Sequence, residues 1–208
     1  MNDTVRLYKT FNGKLYQVDV ELTDFEIATI QFLRTNDWMK ALKHKDDSII
    51  EIFRDDKDCN LLGQAKRYTN IIRLNHCLFN DLKSARNIYL HELSHIVLNK
   101  YNIEGHNIIF FVICGILLLR GNNMQETSLN SLVYYDMQNA ILYDNKIIIN
   151  DENYSIRLFE RIGKKERNHL SDVYLLINKL AKSSMTLNQI VDYLLFEVNT
   201  LTKYILKS

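Results

Sequence analysis

The sequence predicts an α+β fold, and three patterns carry that expectation. Val5 to Tyr8 and Leu15 to Val20 alternate polar and apolar residues around Phe11-Asn12-Gly13, the period-two pattern of two strands joined at an Asn-Gly turn. Leu82, Ala85, Ile88, Tyr89, Leu93, Ile96, Val97 and Tyr101 recur at helical spacing between Leu82 and Asn102. Two further helical runs lie near Ser171 to Ala181 and Thr186 to Leu206. A small mixed or antiparallel sheet with a long helix packed on it, followed by a C-terminal hairpin and helices, accommodates all three.

The remaining elements follow in order. Thr23-Asp24-Phe25-Glu26 has the form of a capping box, in which a Thr side chain and a Glu three residues on satisfy each other's backbone amides. It opens a helix expected to run to about Leu42, with an apolar stripe of Phe25, Ala28, Phe32 and Leu33, widened by Ile27 and Ile30, and with Trp38 and Met39 closing the same core. His44-Lys45-Asp46-Asp47 reads as a solvated turn and Ile49 to Phe53 as a strand. The aspartates of Asp55-Asp56-Lys57-Asp58 lack EF-hand spacing and read as a turn. Ala65 to Asn75 reads as one strand beside the central helix, with His76 a polar residue at its end. Such a strand can receive an extended peptide as an added β-strand.

Ile108 to Leu119 is apolar throughout, too short to span a bilayer, and reads as a buried helix. Beyond Arg120-Gly121-Asn122-Asn123, a helix is expected over Leu129 to Met137. A hairpin is expected from Ala140 to Asn150 and Tyr154 to Leu158, turning at Asn150-Asp151-Glu152-Asn153. Lys164-Lys165-Glu166-Arg167 reads as a solvated face. Thr186-x-x-Gln189 is a second capping-box pattern, and the stripe Ile190, Leu194, Val198 and Leu201 reads as core packing.

Composition narrows the function classes. A chain of 208 residues can form one well-cored domain, with or without an extension, and the expected division is 1–120 and 121–208. The net charge of +1 leaves no polyanion-binding footprint. Met1-Asn2-Asp3-Thr4 is polar and starts no apolar run, so no signal peptide is expected. Cys59, Cys77 and Cys114 are scattered, which suits free core thiols in a reducing compartment. A cytoplasmic location without membrane contact is therefore expected. There is no proline, and Ile, Asn and Lys abound, a composition that fits an AT-rich genome.

The chemistry concentrates in His91-Glu92-Leu93-Ser94-His95, an HExxH motif within the central helix. Residues four apart share one helix face, so His91 and His95 can address one metal ion, with Glu92 placed to activate a metal-bound water without being a ligand. Catalytic zinc commonly takes three protein ligands and leaves a fourth position open. Asn99 to Gly105 reads as a helix terminus, with Gly105 able to take positive φ. A turn of that length can return His106 to the face carrying His91 and His95. Glu104 and, farther on, Glu126 compete with His106 for the third place.

Gly63-Gln64-Ala65, Ile71-Ile72-Arg73-Leu74-Asn75, the HExxH segment and Gly105-His106-Asn107-Ile108-Ile109-Phe110 together resemble the SprT-like metallopeptidases. The same segment is similar to the related WLM and YgjP-like groups. The likeness runs from about Gly63 to Phe111. It implies a zincin-like core, with His91, His95 and His106 as Zn²⁺ ligands, Glu92 as general base and Phe110 as a packing residue of the following helix. The family pattern has Gly where Asn107 stands, and Asn is the nearest substitute where unusual backbone angles are needed. Many members carry a zinc ribbon of paired CxxC motifs, which three unpaired cysteines cannot build.

The expected function is zinc-dependent hydrolysis of protein or peptide substrates, with DNA-associated substrates implied by the resemblance alone. One alternative is a non-catalytic metal-binding regulatory or interaction protein of a mobile element or phage. Another is an ImmA/IrrE-like regulator, which takes a downstream acidic ligand.

Overall fold

The computed structural model describes residues 6–11, 14–17, 23–34, 36–44, 48–54, 61–66, 69–122, 146–149, 152–155 and 169–205. Strand β1 (Arg6–Phe11) pairs antiparallel with β2 (Lys14–Gln17), as the alternation around Asn12-Gly13 requires; the turn residues themselves lie outside the described residues. β1 also runs parallel to β3 (Ile49–Arg54), and β3 runs parallel to β5 (Ile71–Asn75). β4 (Gly63–Ala65) closes one edge, antiparallel to β5. The result is a mixed five-stranded sheet of order β2-β1-β3-β5-β4. Ile50, Ile52, Ile72 and Leu74 alternate onto one face and are fully buried. At intervening positions, Arg73 of β5 reaches the buried Glu51 carboxylate of β3 at 2.8 Å, and Lys66, just past the end of β4, reaches the same carboxylate at 2.8 Å.

One expectation here is corrected. Ala65 to Asn75 is not a single strand but the end of β4, a turn and β5. Thr69 builds the turn: its amide and its hydroxyl both donate to the Lys66 carbonyl, at 3.2 and 3.0 Å, and its Oγ1 accepts from Ile71 N. A polar run without Gly or Pro hid this reversal, because Thr supplied the turn through its side chain.

Helix α1 (Asp24–Arg34) opens with the expected capping box. Glu26 Oε2 accepts from Thr23 N at 2.8 Å, and Thr23 Oγ1 accepts from Glu26 N at 3.2 Å. The helix expected to continue to Leu42 is instead two, α1 and α2 (Asn36–Ala41). The stripe is also rotated from expectation. Glu26, Thr29, Ile30 and Leu33 are buried, whereas Ala28 is exposed and Ile27 is 39% exposed. Glu26 tolerates burial because its carboxylate is spent on the cap. Met39 packs against the core.

Helix α3 (Leu82–Asn99) lies on the sheet, and α4 (Ile108–Gly121) packs against α3, α2 and the two C-terminal helices, α5 (His169–Lys182) and α6 (Leu187–Ile205). Every residue of α4 from Ile109 to Gly121 is buried, so it forms the centre of the helical layer. Gly115 lets α5 approach: a Cβ there would lie 2.8 Å from Ile177 Cδ1. The second capping box holds, with Gln189 Oε1 accepting from Thr186 N at 2.9 Å. A hairpin, β6 (Lys146–Ile149) with β7 (Glu152–Ser155), stands within the expected span, with Glu152 and Asn153 paired in β7 rather than in the turn; the rest of that span lies outside the described residues. The expectations at Asp55–Asp58, Leu129–Met137 and Lys164–Arg167 lie outside the described residues. Among the described residues, no helix is long and apolar enough to cross a membrane.

Arg120 joins the helical layer. Its side chain is 1% exposed. The guanidinium donates to the carbonyls of Leu42, Leu180, Ala181, Ser183 and Met185 at 2.9–3.3 Å. Leu180 and Ala181 lie in the last turn of α5, where unpaired carbonyls and the helix dipole favour a cation. Replacing Arg120 by Met removes the guanidinium from all five carbonyls; Leu180 O keeps Ser183 N and Oγ, and Ser183 O keeps Lys43 Nζ, while those of Leu42, Ala181 and Met185 lose the donor that Arg120 supplies, at about 1–3 kcal/mol for each that water cannot reach. Chemical unfolding of Arg120→Met is expected to show a loss of about 3 kcal/mol or more, with Arg120→Lys in between; a loss under about 1 kcal/mol contradicts this account.

Candidate metal centre

Asp81 starts α3 by accepting from Lys83 N at 3.0 Å and Ser84 Oγ at 2.6 Å. The helix buries Ala85, Tyr89, Leu93, Ile96 and Val97 in the core, which leaves His91 and His95 one turn apart on a half-buried face. It ends in a Schellman arrangement: Asn102 takes φ +54, its amide donates to Asn99 O, and Ile103 N donates to Leu98 O. Gly105 then takes φ +73, as expected, in the turn into His106. Two left-handed residues thus turn the chain back toward α3.

Asn107 does not serve the purpose expected of it. Its φ of −87° and ψ of −179° are ordinary extended values. It is instead the N-cap of α4: its Oδ1 accepts from Phe110 N at 3.1 Å, while its Nδ2 donates to Glu104 O at 2.9 Å. Both ends of the short His106 segment are therefore held by one buried amide. The sequence did carry this signal, an Asn immediately before an apolar helical run.

The reversal brings the three imidazoles together. His106 Nε2 lies 3.1 Å from His91 Nε2 and 3.2 Å from His95 Nε2. One ring nitrogen from each histidine lies within 4.8 Å of the others, and together they could hold a metal ion. A tetrahedral ion with Zn–N of about 2.0–2.1 Å needs nitrogens about 3.3–3.4 Å apart, so the donor set fits zinc in type, and His106 stands close to that separation from each of the other two. Burial lowers the pKa of His91 to about 4 and of His95 to about 3, with the neighbouring histidines adding to the effect. Both are thus neutral near pH 7, the form that binds metal.

Glu92 sits beside them, 6% exposed. Burial pushes its carboxyl up to about 7, against the hydrogen bond from Ala65 N to Oε2 at 2.6 Å. β4 can come this close because residue 63 is glycine. A Cβ there would lie 2.6 Å from Ile88 Cγ2 and 2.9 Å from Glu92 Oε1. The Gly63-x-Ala65 pattern therefore has a physical reading: no side chain at the first position, and an amide donated to the carboxyl from the third.

The histidines, Glu92, β4, Asn99, Glu104 and Gly105 line a common cleft of about 380 Å³. Glu104 stands in its wall, outside the converging group of ring nitrogens, and Glu126 lies outside the described residues. His76 begins a 3₁₀ turn after β5 and is not among the lining residues. Cys114 is buried behind α3, and burial raises its thiol pKa to about 12. Cys77 is half-buried, and Cys59 lies outside the described residues. A three-histidine cluster with a buried carboxyl beside it is a plausible metal-dependent catalytic site, on an α+β core of the kind zincins have. No protein-family model matches the chain, and no curated protein or solved structure matches it either.

The two cleft glycines should respond differently to alanine. Gly63→Ala is expected to push β4 off α3, at about 1–3 kcal/mol, and to speed amide exchange at Ala65. Gly105→Ala meets nothing within 4 Å and is expected to strain only its positive φ, leaving Ala65 exchange unchanged. Equal exchange rates at Ala65 in wild type and Gly63→Ala would refute the close-approach argument.

Proposed function

We propose that this chain is a zinc metallopeptidase, similar to the SprT-like proteins, that hydrolyses peptide bonds of protein substrates in the cytoplasm. In this reading residues 1–120 form the catalytic domain and residues 121–208 an extension packed on it. The observation that carries it is the convergence of three Nε2 atoms, at 3.1 and 3.2 Å, beside a buried glutamate gripped by an edge strand. The ordered elements Gly63-x-Ala65, HExxH and Gly105-His106 add the family resemblance. DNA-associated substrates rest on that resemblance only.

His91, His95 and His106 would hold zinc through Nε2. Bound there, zinc would lower the pKa of a water to about 7 and polarise a substrate carbonyl. Glu92 is the proton carrier. Its Oε2 is fixed by Ala65 N, leaving Oε1 to exchange the proton. A carboxyl with a pKa of about 7 can both take up a proton and pass it to the departing amine near neutral pH. β4, at the sheet edge beside the cleft, offers backbone groups for an extended peptide. A purely structural metal site has no use for a buried acid in this position, which disfavours a non-catalytic module.

Glu92→Gln separates these readings. It is expected to retain zinc and to cleave fluorescein-labelled casein about 10²–10⁴-fold more slowly than wild type. Undiminished cleavage by Glu92→Gln, with contaminating protease excluded, rules out Glu92 as the base.

A further inference from the structure

All three histidine rings rest on one residue. Phe110 is fully buried in the first turn of α4. The His95 ring stacks on it with centroids 4.3 Å apart and planes 27° apart. His91 meets it in a T-shaped contact at 4.9 Å and 70°, and His106 in another at 4.7 Å and 85°. We propose that Phe110 is a positioning residue for the metal centre, holding the three imidazoles in the orientation that makes their Nε2 atoms converge. The proposal rests on the metal-binding reading given above.

A histidine ring rotates about its Cβ–Cγ bond in a broad, soft potential. Three such rings brought to one place by backbone alone would meet a metal only after losing that freedom. Stacked and edge-to-face aromatic contacts prefer particular interplanar angles and contribute about 0.5–1.5 kcal/mol each beyond burial. A single planar ring touching all three imidazoles restricts three torsions at once. An aliphatic side chain would fill the space without setting ring planes.

Phe110 is itself anchored. Its amide is capped by Asn107, the residue after His106, so the ring and the third ligand are set by the same turn. Phe111 makes the natural control. It is 2% exposed and next in the same helix, but its ring contacts are with Phe110 at 5.5 Å and with His106 at 6.3 Å.

The test compares zinc affinity, by competition with a chromophoric chelator, for full-length wild type, Phe110→Leu and Phe111→Leu. Visible spectra of the Co²⁺-substituted proteins and melting temperatures of the metal-free forms accompany it. Phe110→Leu is expected to bind zinc about 10–100-fold more weakly and to show an altered Co²⁺ ligand-field spectrum at saturating metal. Phe111→Leu is expected to lose comparable thermal stability while keeping wild-type affinity and spectrum. Unchanged affinity and spectrum in Phe110→Leu, or equal losses in both variants, overturn the proposal while leaving the metal site standing. Wild type that takes up no zinc removes the metal reading, and this proposal with it. If Phe110→Leu does not fold, Phe110→Met decides by the same measurements.

Discussion

The site depends on a reversal of the chain between Asn99 and Ile108. Helix α3 can place His91 and His95 on one face unaided, because four residues are close to one helical turn. A third histidine must return from beyond the helix end. Two residues in the left-handed region, Asn102 and Gly105, turn the chain, and Asn107 then closes it by bonding both to Glu104 O and to Phe110 N. The next helix starts at once and runs back through the centre of the molecule. One short turn thus sets the third histidine, the aromatic ring beneath the imidazoles and the entry of a helix buried along nearly its whole length.

The other wall of the site comes from the sheet. β4 reaches α3 because Gly63 has no side chain, and it delivers the Ala65 amide to Glu92. The carboxyl is therefore oriented from outside its own helix. Its burial costs stability, expressed as a pKa pushed up to about 7, and that cost is more easily understood for a group that exchanges protons than for one that only packs. On the far side of α4, Arg120 is buried among backbone carbonyls and ties the helical layer to α5.

Local patterns were legible in the sequence wherever a single element could satisfy itself. The HExxH spacing, the capping boxes at Thr23 and Thr186 and the antiparallel start are all contained within a few residues. The return of His106 could be read from a polar turn ending in Gly and followed by an apolar run. Long-range contacts were not legible. Nothing near Ala65 announces that its amide meets a glutamate 27 positions later. Nothing near Arg120 announces that carbonyls about 60 positions on will surround it. The β4–β5 turn carries no Gly or Pro signal, because Thr69 forms it through its side chain. Asn107 acts through its side chain, which backbone propensity alone does not disclose.

The central claim is a three-imidazole metal site with an open position, and zinc K-edge X-ray absorption on the zinc-loaded protein tests it most directly. Three imidazole nitrogens at about 2.0 Å, with one further light-atom ligand from solvent, are expected around the metal. Failure to take up stoichiometric zinc, or a shell in which a protein carboxylate or thiolate replaces one imidazole, would contradict it.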